Sequence, residues 1–207
     1  MNLFDQIILL VTSLVAIYLI WEFFKHYRSH HAGFDIPYMI AFAVLLVAGV
    51  LLIFLTYTVL ENPFIVIVSV LIPLALSYGL VRQFLPQYEK AYLLFAIVGF
   101  LALAITRIAT PGLLATLTLI VVHTVAGLTI FLLPFWVVNK KLATPGFVGV
   151  GIGGALIGIG GIALAFLKTG SQLLFFSASV VFMILAPLLL LMTLAFAWGF
   201  SAKLKSA

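Results

Sequence analysis

One histidine of this sequence lies where membrane proteins hold cofactors, deep within an uncharged segment. His123 is about ten residues into the run 108–139, which at 1.5 Å of helix per residue is roughly 15 Å from its start. This depth is near the middle of a bilayer, where an ionisable group has to face protein. Met183 in the run 169–202 is expected at a similar depth, so the two residues match a permitted pair of axial haem ligands.

A simpler interpretation makes His123 a neutral imidazole, hydrogen-bonded to a carbonyl, a serine or a threonine of a neighbouring helix. Its helical neighbours Ala126 and Gly127 are small, so another backbone or a flat ring can approach closely. We favour this interpretation, because the spans hold no second histidine to pair with His123.

A second group of ionisable side chains follows the first uncharged segment. If a helix continues there, Glu22, His26 and His30 recur every four residues and share one face. Imidazole and carboxylate groups so placed predict a divalent-metal site at His26 and His30, or a response to protonation near neutral pH. The alternative is a solvated helix end at the membrane surface, which we favour because no flanking metal-site motif accompanies the group.

Half of the sixteen glycines lie between Gly146 and Gly161. Gly-x-x-x-Gly spacing lets two membrane helices approach closely, because no side chain separates their backbones. The sequence therefore predicts a tightly packed sixth helix, either within the bundle or against another subunit. The predicted packing positions are Gly149, Gly153, Gly154, Gly158 and Gly161.

Three prolines lie inside uncharged segments, at Pro73, Pro134 and Pro187. Each removes a backbone hydrogen bond and predicts a kink in the third, fifth or seventh helix, either at a gate or, as we favour, in ordinary packing. Residues 71–74 and 185–188 both read Leu-x-Pro-Leu, and the same offset superposes the first span on the fifth. This pattern indicates a three-plus-one-plus-three duplication, an arrangement built of repeats as in many transporters.

Membrane helices have to position all these residues, because 66% of the 207 residues are hydrophobic and only 7% are charged. So few charges cannot cover a water-soluble surface. Uncharged runs of about 20 residues are long enough to cross a bilayer as helices. We predict an all-α bundle of seven transmembrane helices in a single domain, residues 1–207. The uncharged runs cover 6–21, 36–60, 62–81, 91–106, 108–139, 142–167 and 169–202.

The distribution of lysine and arginine predicts an orientation for this bundle. Seven spans place eight of the ten basic residues on one side of the membrane and two on the other. Cytoplasmic loops are rich in such residues, so we expect the N-terminus outside and the C-terminus in the cytoplasm. Trp21, Trp136 and Trp198 fall at helix ends on the same side, where indole rings prefer the headgroup region.

Several classes of function are disfavoured by what the sequence lacks. It has no cysteine, which excludes disulfides and thiolate metal sites. The spans contain no central charged residue of the kind on which ion-coupled pumps rely, and no lysine for a retinal Schiff base. The net charge of +5 comes from basic residues scattered beside apolar runs, so no nucleic-acid partner is expected.

The expected function is that of an integral membrane subunit of a larger complex, for example an energy-transducing one. Such a subunit is structural or holds a cofactor, and is not catalytic alone. One alternative is a carrier or channel for small uncharged solutes, with a cavity near His123 and Pro73, and another is a seven-helix sensor. The expected partners are bilayer lipid and other membrane subunits or copies of this chain, in the plasma membrane of a prokaryote.

Overall fold

The computed structural model describes the backbone of residues 1–110, 112–168 and 178–204, and the side chains of these except 61, 162–168 and 178–179. All regular structure in these residues is helical. Three short 3-10 turns lie at Tyr57–Glu61, Pro86–Tyr88 and Pro145–Phe147. The α-helices are α1 (Leu3–His30), α2 (Asp35–Leu55), α3 (Pro63–Ser69), α4 (Leu71–Phe84), α5 (Glu89–Ala109), α6 (Leu113–Asn139), α7 (Val148–Lys168) and α8 (Ala178–Leu204).

The helices have the length and composition of membrane spans. Counting Pro63–Phe84 as one segment, six of them are long and apolar enough to cross a bilayer. The helix α7 is a further apolar helix of 21 residues. The chain is therefore an all-helical integral membrane protein with six to seven spanning helices.

Charged residues do not end the first helix, although the uncharged run ends at residue 21. The helix α1 continues to His30. Its charged side chains after residue 21 can lie at the membrane surface while the earlier turns of the same helix lie in lipid. It begins with a capping box, in which the Asn2 side chain accepts the Asp5 N–H at 2.8 Å and the Asp5 carboxylate accepts the Asn2 N–H at 3.3 Å. It ends at His31, whose left-handed backbone (φ 51°) turns the chain towards α2.

The third predicted span is two helices and not one. The helix α3 ends at Ser69, and α4 begins at Leu71 and continues to Phe84, three residues beyond the predicted run. Pro73 has no N–H to offer the carbonyl of Ser69, four residues earlier, which explains the break at Val70. Pro134 and Pro187 lie inside α6 and α8, in continuous helix.

Six of the helices form a closed ring, which we call the six-helix ring. Its order is α1, α2, α4, α6, α7, α8 and back to α1, with each helix packed against the next. The helix α5 lies outside the ring, against α3, α4 and α6. Only 11% of the apolar stretch of α5 is buried in the protein, against 22–56% for the other five membrane-length segments.

The two halves of the ring have the same pattern of neighbours. If α1, α2 and α4 correspond to α6, α7 and α8, then each contact within the first three helices has a counterpart within the last three. The contacts that close the ring, α1 with α8 and α4 with α6, are also equivalent to each other. A three-plus-one-plus-three organisation with α5 as the connecting helix is compatible with this ring, as it is with any closed ring of six helices, so the duplication stays a prediction.

Aromatic side chains fill the ring in the half where α1 ends and α2 begins. Ring centroids lie 4.9 Å apart for Phe23 and Tyr38, 5.0 Å for Phe23 and Phe200, and 4.7 Å for Tyr38 and Phe200. Aromatic pairs at these distances each contribute about 0.5–1.5 kcal/mol beyond the burial of their surface. We call this cluster the aromatic plug. Its members, all less than 2% exposed, are Phe23, Tyr38, Phe42, Phe147, Phe196 and Phe200.

The glycine-rich helix α7 packs within the chain, between α6 and α8. A Cβ on Gly149 would lie 2.8 Å from the Ala195 carbonyl oxygen, and one on Gly153 would lie 2.6 Å from the ring of Phe196, both on α8. Gly154 faces α6 instead. At Gly158 and Gly161 no described atom lies within 4 Å of such a Cβ. In the first half of α7, the glycines therefore allow close contact with two helices of the same bundle, α6 and α8.

Candidate functional site

Most of the cationic side chains gather at one end of the bundle, which we call the basic end. Here α1, α4, α6 and α8 finish, while α2, α5 and α7 begin. The opposite end carries the start of α1 and the turn between α2 and α3. Cationic residues that the structure describes at the basic end are Lys25, Arg28, Arg82, Lys90, Lys140, Lys141 and Lys203.

A buried contact between a histidine and an aspartate joins α1 to α2 at the basic end. The Nδ1 atom of His26 lies 2.7 Å from Oδ2 of Asp35. The Asp35 side chain is fully buried and that of His26 is 11% exposed. Asp35 is the first residue of α2, where the helix dipole favours a negative charge. The Asp35 carboxylate thus lies between the imidazole of His26 and the positive end of the α2 dipole.

His30 and Glu22 have different surroundings from those that the metal hypothesis requires. The His30 ring stacks on that of His26 at 4.4 Å, and its Nδ1 lies 3.2 Å from the His26 carbonyl oxygen. Glu22 turns away and pairs with Lys25 at 2.6 Å. Within the described part of the chain, no three histidine, aspartate or glutamate side chains are grouped to hold a metal. The contact that the structure shows here is a histidine–aspartate pair, and the metal site at His26 and His30 stays a prediction.

A second layer of polar contacts ties the start of α2 to the end of α4. The Tyr38 hydroxyl donates to Oε1 of Gln83 at 2.8 Å. Arg82 donates from Nη1 to the Gly33 carbonyl at 3.0 Å, and its Nε lies 3.0 Å from Oε1 of Glu89. The guanidinium occupies the space that a side chain at Gly33 would need. These contacts hold the loop that precedes Asp35 in one position.

A cavity of about 360 Å³ lies at the mouth of the ring on the basic end. His26, Gln83 and Lys203 give it a polar side, and the remaining wall is apolar. Since Nδ1 of His26 is engaged by Asp35, the rest of the imidazole is available to this cavity. Such a chamber can hold a small polar group beside the imidazole. The apolar lining residues are Phe34, Phe84, Leu142 and Leu204.

His123 and Met183, the predicted haem ligands, are in different surroundings. The Nδ1 of His123 lies 3.2 Å from the Leu119 carbonyl oxygen, one turn earlier in the same helix. Met183 is 67% exposed on α8. The helix α6 packs against α4, α5 and α7, whereas α8 packs against α1 and α7. The geometry favours the simpler role for His123, with the difference that its partner is in its own helix.

A tyrosine at the opposite end was not identified from the sequence. Tyr57 lies in the turn after α2 and stacks on Phe182 with ring centroids 5.2 Å apart. Burial, and then the neighbouring Asp5 carboxylate, raise the pKa of the Tyr57 hydroxyl to about 12. Asp5 caps the start of α1, and nothing in the sequence around either residue indicates that Tyr57 lies beside it.

The raised pKa of Tyr57 predicts a loss of stability in alkali. The folded state favours the neutral phenol, so its contribution is complete below pH of about 10 and is lost as the pH rises to about 12. Chemical unfolding in mild detergent between these pH values should show a smaller loss for Tyr57→Phe than for the unmodified protein. Tyr88→Phe, at a position 58% exposed, serves as the control and should retain the full loss. An equally steep loss in Tyr57→Phe would contradict the assignment.

Comparison of the chain with protein-family models, with curated proteins and with solved structures finds no match.

Proposed function

We propose that this protein is an integral membrane subunit of a larger membrane protein complex, with a structural or cofactor-holding role and no catalysis of its own. The observation that carries the proposal is the contrast between a filled ring and a poorly buried helix at its edge. The aromatic plug fills the ring at the basic end with side chains that are almost fully buried. The helix α5, in contrast, is only 11% buried.

The exposed side of α5 is the face on which we place the partner subunit. It presents large aliphatic side chains, among them Leu94, Val98 and Leu101, which are 63%, 55% and 52% exposed. A helix with so few contacts in its own chain gains most from van der Waals packing against another membrane protein. The same proposal includes seven spans, an outside N-terminus and a prokaryotic plasma membrane, in keeping with the charge distribution.

The proposal predicts that the protein leaves its membrane with partner subunits. Native mass spectrometry of a gentle detergent extract should record their masses. Leu94→Trp combined with Leu101→Trp should reduce the retained partner about tenfold, because overpacking a fitted contact costs about 1–3 kcal/mol. The matched control is Leu10→Trp with Leu14→Trp on α1, at positions 53% and 56% exposed, which should keep the partner. Repeated recovery of a lone protomer would contradict the proposal.

The second candidate function is a carrier for small uncharged solutes. The observation that favours it is the equivalent packing of the two halves of the ring, with α5 as connector. In this case the aromatic plug is a closed gate, and the cavity beside His26 is the vestibule before it. A lone protomer in the extract, together with solute flux in liposomes, would establish this function in place of the first.

A further inference from the structure

The cavity at the mouth of the ring lies near the axis of the bundle, and we call it the mouth cavity. Its walls come from the ends of α1, α4 and α8 and from the loops before α2 and after α6. In the six-helix ring, α4 and α8 stand on opposite sides, and α2 separates α4 from α1. A space that touches all three helices is therefore surrounded by the ring. Because helix ends and loops form it, we expect its ligand to come from water and not from the hydrocarbon region.

Aromatic rings form one side of the mouth cavity and join it to the aromatic plug. Phe34 lies against Tyr38, with ring centroids 6.4 Å apart, and Phe84 lies against Phe147 at 5.3 Å. Tyr38 and Phe147 are members of the plug, and each is less than 2% exposed. Phe34 and Phe84 therefore rest on fully buried neighbours and offer a hydrophobic surface to the apolar part of a ligand.

Two polar side chains of the cavity wall are oriented by their contacts with other residues. The Tyr38 hydroxyl donates to Oε1 of Gln83, so the amide nitrogen of Gln83, with two N–H groups, is left to donate to a ligand. Oδ2 of Asp35 lies 2.7 Å from Nδ1 of His26, which leaves Nε2 on the other side of the imidazole to contact a ligand. Polar groups that are held in place in this way bind a ligand with a smaller loss of entropy.

The mouth cavity has a positively charged wall. Lys203 at the end of α8 contributes an ammonium group, and none of the described residues that line the cavity is acidic. Lys203 also interacts with another group of the chain, but an ammonium has three N–H groups and can donate to a ligand as well. An anion that accepts several hydrogen bonds at once complements this wall, and a carboxylate is such a group.

We propose that the mouth cavity binds one small organic carboxylate that carries an apolar tail. The cavity volume of about 360 Å³ has room for roughly a dozen water-sized groups at about 30 Å³ each, so the ligand is the size of an arylacetate. Its carboxylate accepts hydrogen bonds from Lys203 and Gln83, and its tail lies against Phe34 and Phe84. One chain supplies all these residues, so the site does not require a partner subunit.

The test measures binding of phenylacetate to the purified full chain in phosphatidylcholine nanodiscs by isothermal titration calorimetry, with the heat of empty nanodiscs subtracted. Phenylacetamide is the probe of similar shape without the charge. Because hydrogen bonds to a charged group are stronger than those to a neutral one, we expect one phenylacetate per chain, bound about tenfold more tightly than phenylacetamide. Inorganic phosphate should bind more weakly than phenylacetate, since it has no apolar tail to bury.

Substitutions of the cavity lysine test the source of this preference. Lys203→Gln should remove the preference for phenylacetate, and Lys203→Arg should keep most of it. Arg28→Gln is the matched control and should keep all of it, because Arg28 is a cation at the same end that does not line the cavity. Arg28 follows His26 by two positions and therefore lies on another side of α1.

A further variant tests whether the ligand lies inside the mouth cavity. Leu142→Trp, at a lining position 50% exposed, fills the cavity and should weaken the binding of phenylacetate and phenylacetamide alike, while the far-ultraviolet circular dichroism stays unchanged. Equal affinity of the unmodified protein for the two compounds would overturn the proposal. So would a preference that Lys203→Gln retains, or binding that Leu142→Trp leaves intact. The partner subunit is tested separately, in the native extract, and does not depend on this site.

Discussion

Gly199→Ala should lower the free energy of unfolding by about 3 kcal/mol, near the upper end of overpacking costs. A Cβ at this position of α8 would lie 2.5 Å from the backbone nitrogen of Val150 and 3.0 Å from the carbonyl carbon of Gly149. Both are backbone atoms of α7, so no side-chain rotation relieves the contact. The two helices have to separate, and the packing of α7 on α8 is lost with them. Titration with sodium dodecyl sulfate in mixed micelles, followed by circular dichroism, measures the change.

Gly127→Ala is the control for this substitution. It also lies in a membrane helix, α6, but no described atom lies within 4 Å of its Cβ position. Alanine is the better helix former by about 1 kcal/mol in water, so this variant should be as stable as the unmodified protein or slightly more. If Gly199→Ala unfolds like the control, α7 and α8 are not in backbone contact and the order of helices in the ring is wrong.

His26→Leu should have an effect of similar size at neutral pH, about 3–5 kcal/mol, the cost of leaving a buried charge without its partner. The Asp35 carboxylate is fully buried; its Oδ2 contacts His26, and its Oδ1 has no hydrogen-bond partner in the described structure. With His26 removed, neither oxygen has a protein partner that compensates for the loss of water. The same micelle titration measures the difference.

A double-mutant cycle distinguishes the loss of the pair from the loss of packing. Asp35→Asn removes the charge, so His26→Leu in that background should cost about 1–3 kcal/mol less than in the unmodified protein. Lys25→Gln breaks the more exposed pair with Glu22, where the side chains are 50% and 25% exposed, and should cost less than about 1 kcal/mol. Additive effects of His26→Leu and Asp35→Asn would show that the two side chains do not interact.

The membrane class, the positions of the helices and the gathering of cations at one end all follow from the sequence. These properties depend on local composition, because an uncharged run of about 20 residues has few alternatives to a spanning helix. The continuation of α1 past residue 21, which places His26 and His30 on one helical face, also depends only on residues close in the chain. The break at Val70 also follows from the sequence, because Pro73 leaves the carbonyl of Ser69, one turn earlier, without its helical hydrogen bond.

The tertiary structure alone decided which helices are neighbours and which side chains meet. Nothing local places α5 outside the ring, because its apolar stretch has the same hydropathy as that of α6, which is a helix of the ring. The pairing of Asp35 with His26 depends on how the chain turns at His31, and the contact of Tyr38 with Gln83 joins residues 45 positions apart. In lipid, all of these helices are hydrophobic, so the shape of the contacting side chains decides which helices pack together. In this protein, Gly149 packs closely against Ala195, and aromatic side chains pack against one another inside the ring.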